Sequence, residues 1–343
     1  MRPSGSADLV KAIAIISVIS GHAVMMDDAA LFCAFPKWND GIWQILVFLF
    51  SQAIRFAVPC FFVLSGYLWG QKARKGVNLA PSSPVVAKRV KRIFFVFVAW
   101  SVIYIFPFDL VPEMIVSGPV GLLKAGYWRL LDHVANPLRL IMEGTTVHLW
   151  YLIGLLWALG ITSLFASRNL VGGLIAFAVA LYVIGVFGKA YANTSLGFHS
   201  DFDTRNGPFF STIFFVSGYV MSKMRPNSGW ASKGALIFLI GFVVQLTELY
   251  VLWNEHHINL MQDYVFGTYL MGAGAAMVAL SNHRILASES RMIAMIGTFS
   301  LGIYAIHFVF VDLLKPLDLF FSGPLWSFVY VSLVLVFSLE STR

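Results

Sequence analysis

The chain has 343 residues, 58% of them hydrophobic and 12% charged, with a mean hydropathy of +0.77. An average soluble domain is roughly half apolar and about a quarter charged, so a water-soluble fold is excluded, because this many apolar side chains have no interior to fill. The net charge of +7 comes from 24 Lys+Arg against 17 Asp+Glu, and in a membrane protein such an excess reports orientation rather than affinity for nucleic acid.

In chain order, apolar runs bounded by charge, Pro and Gly predict spans at 9–26, 43–69, 93–112, 147–166, 170–188, 208–222, 233–252, 263–281, 293–313 and 320–338. The expected fold is all-α, a polytopic transmembrane helical bundle of about ten spans. Nine is the rival count, because the sixth run has only fifteen residues and begins at Pro208. The first run lacks a small-residue cleavage site and carries Lys11 and His22 at its two ends, so it reads as a span rather than a signal peptide. With the N-terminus inside, sixteen of the 24 basic residues fall in inner segments and seven in outer ones, with Arg55 inside a span. That bias predicts both termini on the cytoplasmic side. Residues 1–343 read as one membrane domain with no appended soluble domain. Cys33 in an outer loop and Cys60 deep in a helix are expected to be free thiols.

Charges and imidazoles at membrane depth mark the candidate site, since each costs about 2.5–3.5 kcal/mol for Arg on insertion scales unless it meets a partner or water. Arg55 lies twelve residues into the second run, about 18 Å along a helix; it is either a functional cation or half of a helix-joining ion pair. His22, His148 and His307 converge on one depth near the outer face. His22 follows Ser20-Gly21 in an apolar segment, a setting that suits general-base work. His148, in His148-Leu149-Trp150-Tyr151 after Glu143, is open between chemistry and an interfacial belt. His307 reads first as a packing residue. The pair His256-His257 has poor spacing for a shared ion, and no Cys/His cluster exists elsewhere, so no metal site is expected. Glu248, near a span end beside Gln245, reads as interfacial. The segment 70–92 holds seven basic residues; Arg89 and Arg92 at i,i+3 share a helix face and either clamp phosphate or simply fix topology. Finally, Phe61-Phe62-Val63-Leu64-Ser65-Gly66-Tyr67 recurs one residue shorter as Phe214-Phe215-Val216-Ser217-Gly218-Tyr219. This echo is either a trace of internal symmetry or two small-residue contacts between helices.

Taken in order, these motifs resemble the acyltransferase 3 family of bacterial membrane acyltransferases, many of which O-acetylate cell-surface sugars. The most specific element is a basic residue and a histidine with ten residues between them in the first span, here Lys11 and His22 after Asp8-Leu9-Val10. Arg55 followed by Val58-Pro59 and the Phe61 to Leu68 run, Arg89-x-x-Arg92, His148 to Tyr151, and Ser300-Leu301-Gly302-Ile303-Tyr304-x-x-His307 also fit. Lys11 stands where the family more often has Arg, which keeps the charge but not the bidentate fork. The resemblance implies acetyl-CoA or another acyl-CoA as donor and a hydroxyl of a sugar or polysaccharide as acceptor, at the bacterial inner membrane. It further implies that Lys11, Arg89 and Arg92 hold the CoA phosphates, that His22 is general base or acyl carrier, and that Arg55 or His148 stabilises the oxyanion. The competing class is a transporter or flippase for a sugar-containing substrate, with the Arg and His lining its path; a non-catalytic scaffold is the third.

Overall fold

The longest apolar runs become the longest helices. The computed structural model describes residues 5–23, 35–36, 41–106, 110–281 and 290–343, and every regular element among them is helical. Cys33 lies outside these residues, while Cys60 is a buried free thiol. After α1 (Ser6–Ala23), α2 (Ile42–Ala53) passes through a 3-10 turn at Ile54–Phe56 straight into α3 (Ala57–Arg74). Pro59 has no N–H to give the Arg55 carbonyl, and the helix tightens at that point. The next helix, α4 (Pro84–Ile103), starts on a Ser83 side-chain cap 3.3 Å from the Val86 amide.

Two helices then appear where the sequence predicted none, α5 (Leu110–Ala135) and α6 (Pro137–Glu143). Gly118, at φ 63°, kinks α5 just before Pro119. The bundle continues with α7 (Trp150–Ala166), α8 (Val171–Phe187), α9 (Pro208–Met221), α10 (Gly229–His256), α11 (Phe266–Leu280), α12 (Arg291–Leu314) and α13 (Pro324–Ser341).

The expected count of about ten spans is corrected. Among the described residues, five helical stretches are long and apolar enough to cross a membrane: Ser6–Ala23, Ile42–Arg74, Gly229–His256, Arg291–Leu319 and Pro324–Ser341. The helices α7, α8, α9 and α11 have only 14 to 17 residues, at most about 25 Å against a hydrocarbon core of about 30 Å. Burial in protein explains much of their apolar character, since ten of the fourteen α9 residues and nine of the fifteen in α11 are buried. Although α4 is long enough, it carries Lys88, Arg89, Lys91 and Arg92 in its first half. Placement of both termini on the cytoplasmic side rested on strict alternation of ten spans, and it falls with that count.

Packing turns on α9, which lies against α3, α7 and α8, while α1 lies against α3, α11, α12 and α13. The echoed motifs meet at the α3–α9 crossing. A Cβ on Gly66 would enter the Phe215 carbonyl, and one on Gly218 would enter the Val63 carbonyl. The repeat is therefore a close backbone contact, as small residues allow between membrane helices. A second such seam joins α10 to α11, where a Cβ on either Gly234 or Gly274 would come within 2.6 Å of the other's carbonyl oxygen.

Gly66→Ala and Gly218→Ala should each lower the melting temperature of the detergent-purified protein, by a loss of about 1–3 kcal/mol typical of overpacking. Gly160→Ala, which faces open space in α7, should leave it unchanged or slightly raised. Equal melting temperatures for all three variants would remove the crossing as an anchor of the fold.

Candidate functional site

The three histidines come together. His22 lies in the last turn of α1, His148 just before α7, and His307 in the C-terminal half of α12. Ring centroids of His22 and His307 are 5.4 Å apart, and those of His148 and His307 are 5.5 Å apart. Phe308 is wedged among them, stacked on His148 at 4.9 Å and edge-on to His22 at 5.1 Å. Both His148 and His307 are fully buried. His307 Nδ1 is 2.6 Å from the Tyr304 carbonyl oxygen; a carbonyl only accepts, so Nδ1 carries the proton and Nε2 presents its lone pair. Nε2 of His307 has no hydrogen-bond partner among the described residues.

Beside this chamber sits a charge cluster that the sequence reading saw only in part. Asp263, in the loop before α11, accepts from Arg205 at 2.9 Å, pairs with Lys189 at 3.1 Å and with Arg55 at 3.7 Å. Lys189 also pairs with Asp203 at 2.5 Å. Burial alone would raise the Asp263 carboxyl, but Arg205, Lys189 and Arg55 outweigh it and hold the group below the usual carboxylate range. The same carboxylates, working against burial, push Lys189 and Arg205 up. The Arg205 guanidinium lies 5.2 Å over the Trp150 ring. Arg55 is thus an ion-pair partner of Asp263 whose charge also reaches His22.

Lys189, Asp203, Arg205 and Asp263 escaped the sequence reading. All four lie outside the five membrane-spanning stretches, where a charge is unremarkable, and nothing in a linear pattern joins segments some 60 residues apart. Glu143, just before His148 in the chain, accepts from Arg139 Nε at 2.9 Å and from the Asp203 amide at 3.0 Å. Glu248 is a cap rather than an interfacial residue. It accepts from the Phe266 and Gly267 amides at the start of α11, at 3.1 and 3.2 Å, and from the Tyr191 hydroxyl at 2.9 Å.

The basic residues occupy the opposite end of the bundle. Arg89 lines a cavity of about 360 Å³ with Ser65, Trp69, Gln71, Lys72 and Lys75. Arg92 and Lys11 are not among its lining residues. Burial first, and then the like charge of Arg92, lower the Arg89 guanidinium, so the two arginines are neighbours. Lys11, one helical turn from Asp8, pairs with it at 3.4 Å. Lys72 and Lys75 are basic residues of the cavity that the sequence reading counted only as topology signals; Lys72 Nζ lies 5.3 Å over the Trp69 ring.

Between the two ends runs an aromatic layer. Phe62 and Tyr151 rings are 4.6 Å apart, Tyr151 and Tyr304 rings 5.2 Å, and the Tyr304 hydroxyl donates to the His148 carbonyl. Phe62 lies one turn of α3 before Ser65, and Tyr304 one turn of α12 before His307. The layer therefore lies between the histidine cluster and the basic cavity. Among the described residues no group of three or more His, Cys, Asp or Glu is placed to hold a metal ion.

A serine/alanine racemase of Enterococcus gallinarum is 29% identical over 224 residues, 62% of this chain and 29% of that protein. An amino-acid racemase of Enterococcus faecalis is 30% identical over 109 residues, 28% of this chain and 15% of that protein. The chain thus spans less than a third of either relative. No solved structure matches it. The family described as an acyltransferase domain matches residues 5–339, which takes in α1 through α12, most of α13, and every residue of both ends of the bundle named above. The chain belongs to the acyltransferase 3 family of membrane acyltransferases.

Proposed function

We propose that residues 1–343 form a membrane O-acyltransferase domain of a bacterial inner membrane, moving an acetyl group from acetyl-CoA to a hydroxyl of a cell-surface or lipid-linked sugar. The observation that carries this reading is the division of the bundle. A basic cavity around Arg89 lies at one end, three clustered imidazoles lie at the other, and a single aromatic layer lies between them. Family membership supports acyl transfer as the reaction class. The sugar acceptor and the acetyl donor are the finer part of the proposal.

In this reading Arg89 and Arg92 hold the phosphates of CoA through charge-assisted, bidentate hydrogen bonds. Lys11, about 16.5 Å along α1 from His22 at the helical rise, supplies a further positive charge at the same end. The pantetheine arm carries the thioester toward the histidines. His22 takes the proton from the acceptor hydroxyl as its oxygen attacks the thioester carbonyl; the C–O bond forms, the C–S bond breaks, and the thiolate leaves as CoA. An acyl-His22 intermediate is the two-step form of the same chemistry. Arg55 and His148 stand beside the reacting carbonyl as oxyanion donors. Asp263 fixes Arg55, which keeps the guanidinium at the chamber wall rather than free to swing. The geometry of His307, with its tautomer set by the Tyr304 carbonyl, supports a role for this residue in holding His22 or the acceptor.

Replacing His22 by Gln keeps volume and hydrogen bonding but removes the base. Transfer from labelled acetyl-CoA should fall by about 10²- to 10⁴-fold, with CoA affinity and melting temperature unchanged. Near wild-type transfer by His22→Gln would take this residue out of the mechanism and move the base to His148 or His307. Separately, the double variant Arg89→Ala/Arg92→Ala should weaken CoA binding in a calorimetric titration, with normal membrane insertion. Unaltered CoA affinity would return both arginines to the role of topology determinants.

A further inference from the structure

A second cavity, of about 540 Å³, lies away from both ends of the proposed reaction path. Its floor is α9, at Ile213, Val216, Ser217 and Val220; its walls are α8 and α11. The inner surface is apolar and closed, with Ala178, Tyr182, Val216 and Trp230 all below 10% exposed. The rim is open, with Ile175 at 41% and Val179 at 46% exposure on the outer side of α8. Its hydroxyls are already satisfied: Ser217 and Tyr269 bond each other at 3.1 Å, and Tyr182 donates to the Val265 carbonyl at 2.7 Å. Such a wall offers contact to hydrocarbon and few free donors to a polar ligand.

The shape and the charge at one end narrow the occupant. The groove follows α9 from Ile213 to Met221, about 12 Å at the helical rise, and the Met224 to Trp230 turn extends it. That length approaches half of a hydrocarbon core about 30 Å thick, which is the depth of one leaflet. The turn that closes the groove carries exposed Lys223 and Arg225, and Lys233 follows one turn into α10. No carboxylate stands in the sequence between Asp203 and Glu248, and none pairs with these three cations among the described residues. Lys223 Nζ sits 5.1 Å over the Tyr219 ring at the same end of α9.

We infer that this groove binds one acyl chain of an anionic phospholipid, whose headgroup phosphate is held by Lys223, Arg225 and Lys233. A slot for a tail ending in a cluster of uncompensated cations at the interface is the arrangement that selects anionic over zwitterionic lipid. The site is independent of the acyl-transfer reading, because it shares no lining residue with the Arg89 cavity or the histidine chamber.

The test uses the full chain in detergent, native mass spectrometry, and phosphatidylglycerol against phosphatidylcholine of the same acyl chains. Wild-type protein should retain one phosphatidylglycerol about tenfold better than phosphatidylcholine. The variant Lys223→Gln/Arg225→Gln/Lys233→Gln should lose that preference, and Val179→Trp, which fills the rim from an exposed position, should lose retention of both lipids. A phosphatidylglycerol with a photoreactive tail should crosslink to the α9 peptide containing Val216 and Ser217, a readout that needs no substitution. Crosslinks spread evenly over the lipid-facing helices, or no selectivity in the wild type, would reduce the groove to ordinary annular contact. Stabilisation by inorganic phosphate equal to that by phosphatidylglycerol would make the basic turn a phosphate site alone and would overturn the assignment of the tail.

Discussion

Asp263 is the tie on which the histidine end of this protein depends. One carboxylate gathers Arg205 from the segment before α9, Lys189 from the segment after α8 and Arg55 from the turn that joins α2 to α3. Three helical units thereby share one counter-ion in a partly buried setting, where removing one partner costs more than at an open surface. The tie also explains why an arginine persists inside an apolar helix. Arg55 is placed where the α-helix tightens ahead of Pro59, and its charge is matched across the bundle rather than along its own helix. Once Arg55 is held, the His22 chamber has a fixed cationic wall.

The sequence made the ingredients of this chamber legible but not its wiring. His22, His148 and Arg55 stood out because an imidazole or guanidinium in an apolar run carries a cost that composition makes visible. Asp263, Lys189 and Arg205 did not stand out, because in loops they carry none. The span count erred for a related reason. Helices such as α9 are apolar because protein surrounds them, and hydropathy does not separate burial in protein from burial in lipid. Their lengths of 14 to 17 residues carried the missing information. The α5–α6 segment was passed over because charged residues such as Lys124, Arg129 and Asp132 interrupt its apolar residues before they make a span-length run. The motif echo was read correctly only when its two copies were seen against each other, Gly66 on Phe215 and Gly218 on Val63.

The two ends of the bundle are built on different principles. At the histidine end the cations are compensated by Asp203 and Asp263, which suits a neutral or weakly charged ligand. At the other end Arg89, Lys72 and Lys75 line one cavity, an arrangement suited to a polyanion. Helices α3 and α9 run between these ends in backbone contact, so the distance from one to the other is set by main chain rather than by adjustable side chains.

The aromatic layer of Phe62, Tyr151 and Tyr304 has an electrical consequence. A membrane protein with polar recesses at both ends risks becoming a leak, and here the largely buried rings of Phe62, Tyr151 and Tyr304 pack between the two ends. Moving one elementary charge across the membrane potential costs about 2.3 kcal/mol per 100 mV. An acetyl group carries no charge. On the acyltransferase reading, the pantetheine arm and its acetyl group, which carry no charge, pass between these rings while the phosphates stay anchored at their own end, so acyl transfer moves no charge across the layer.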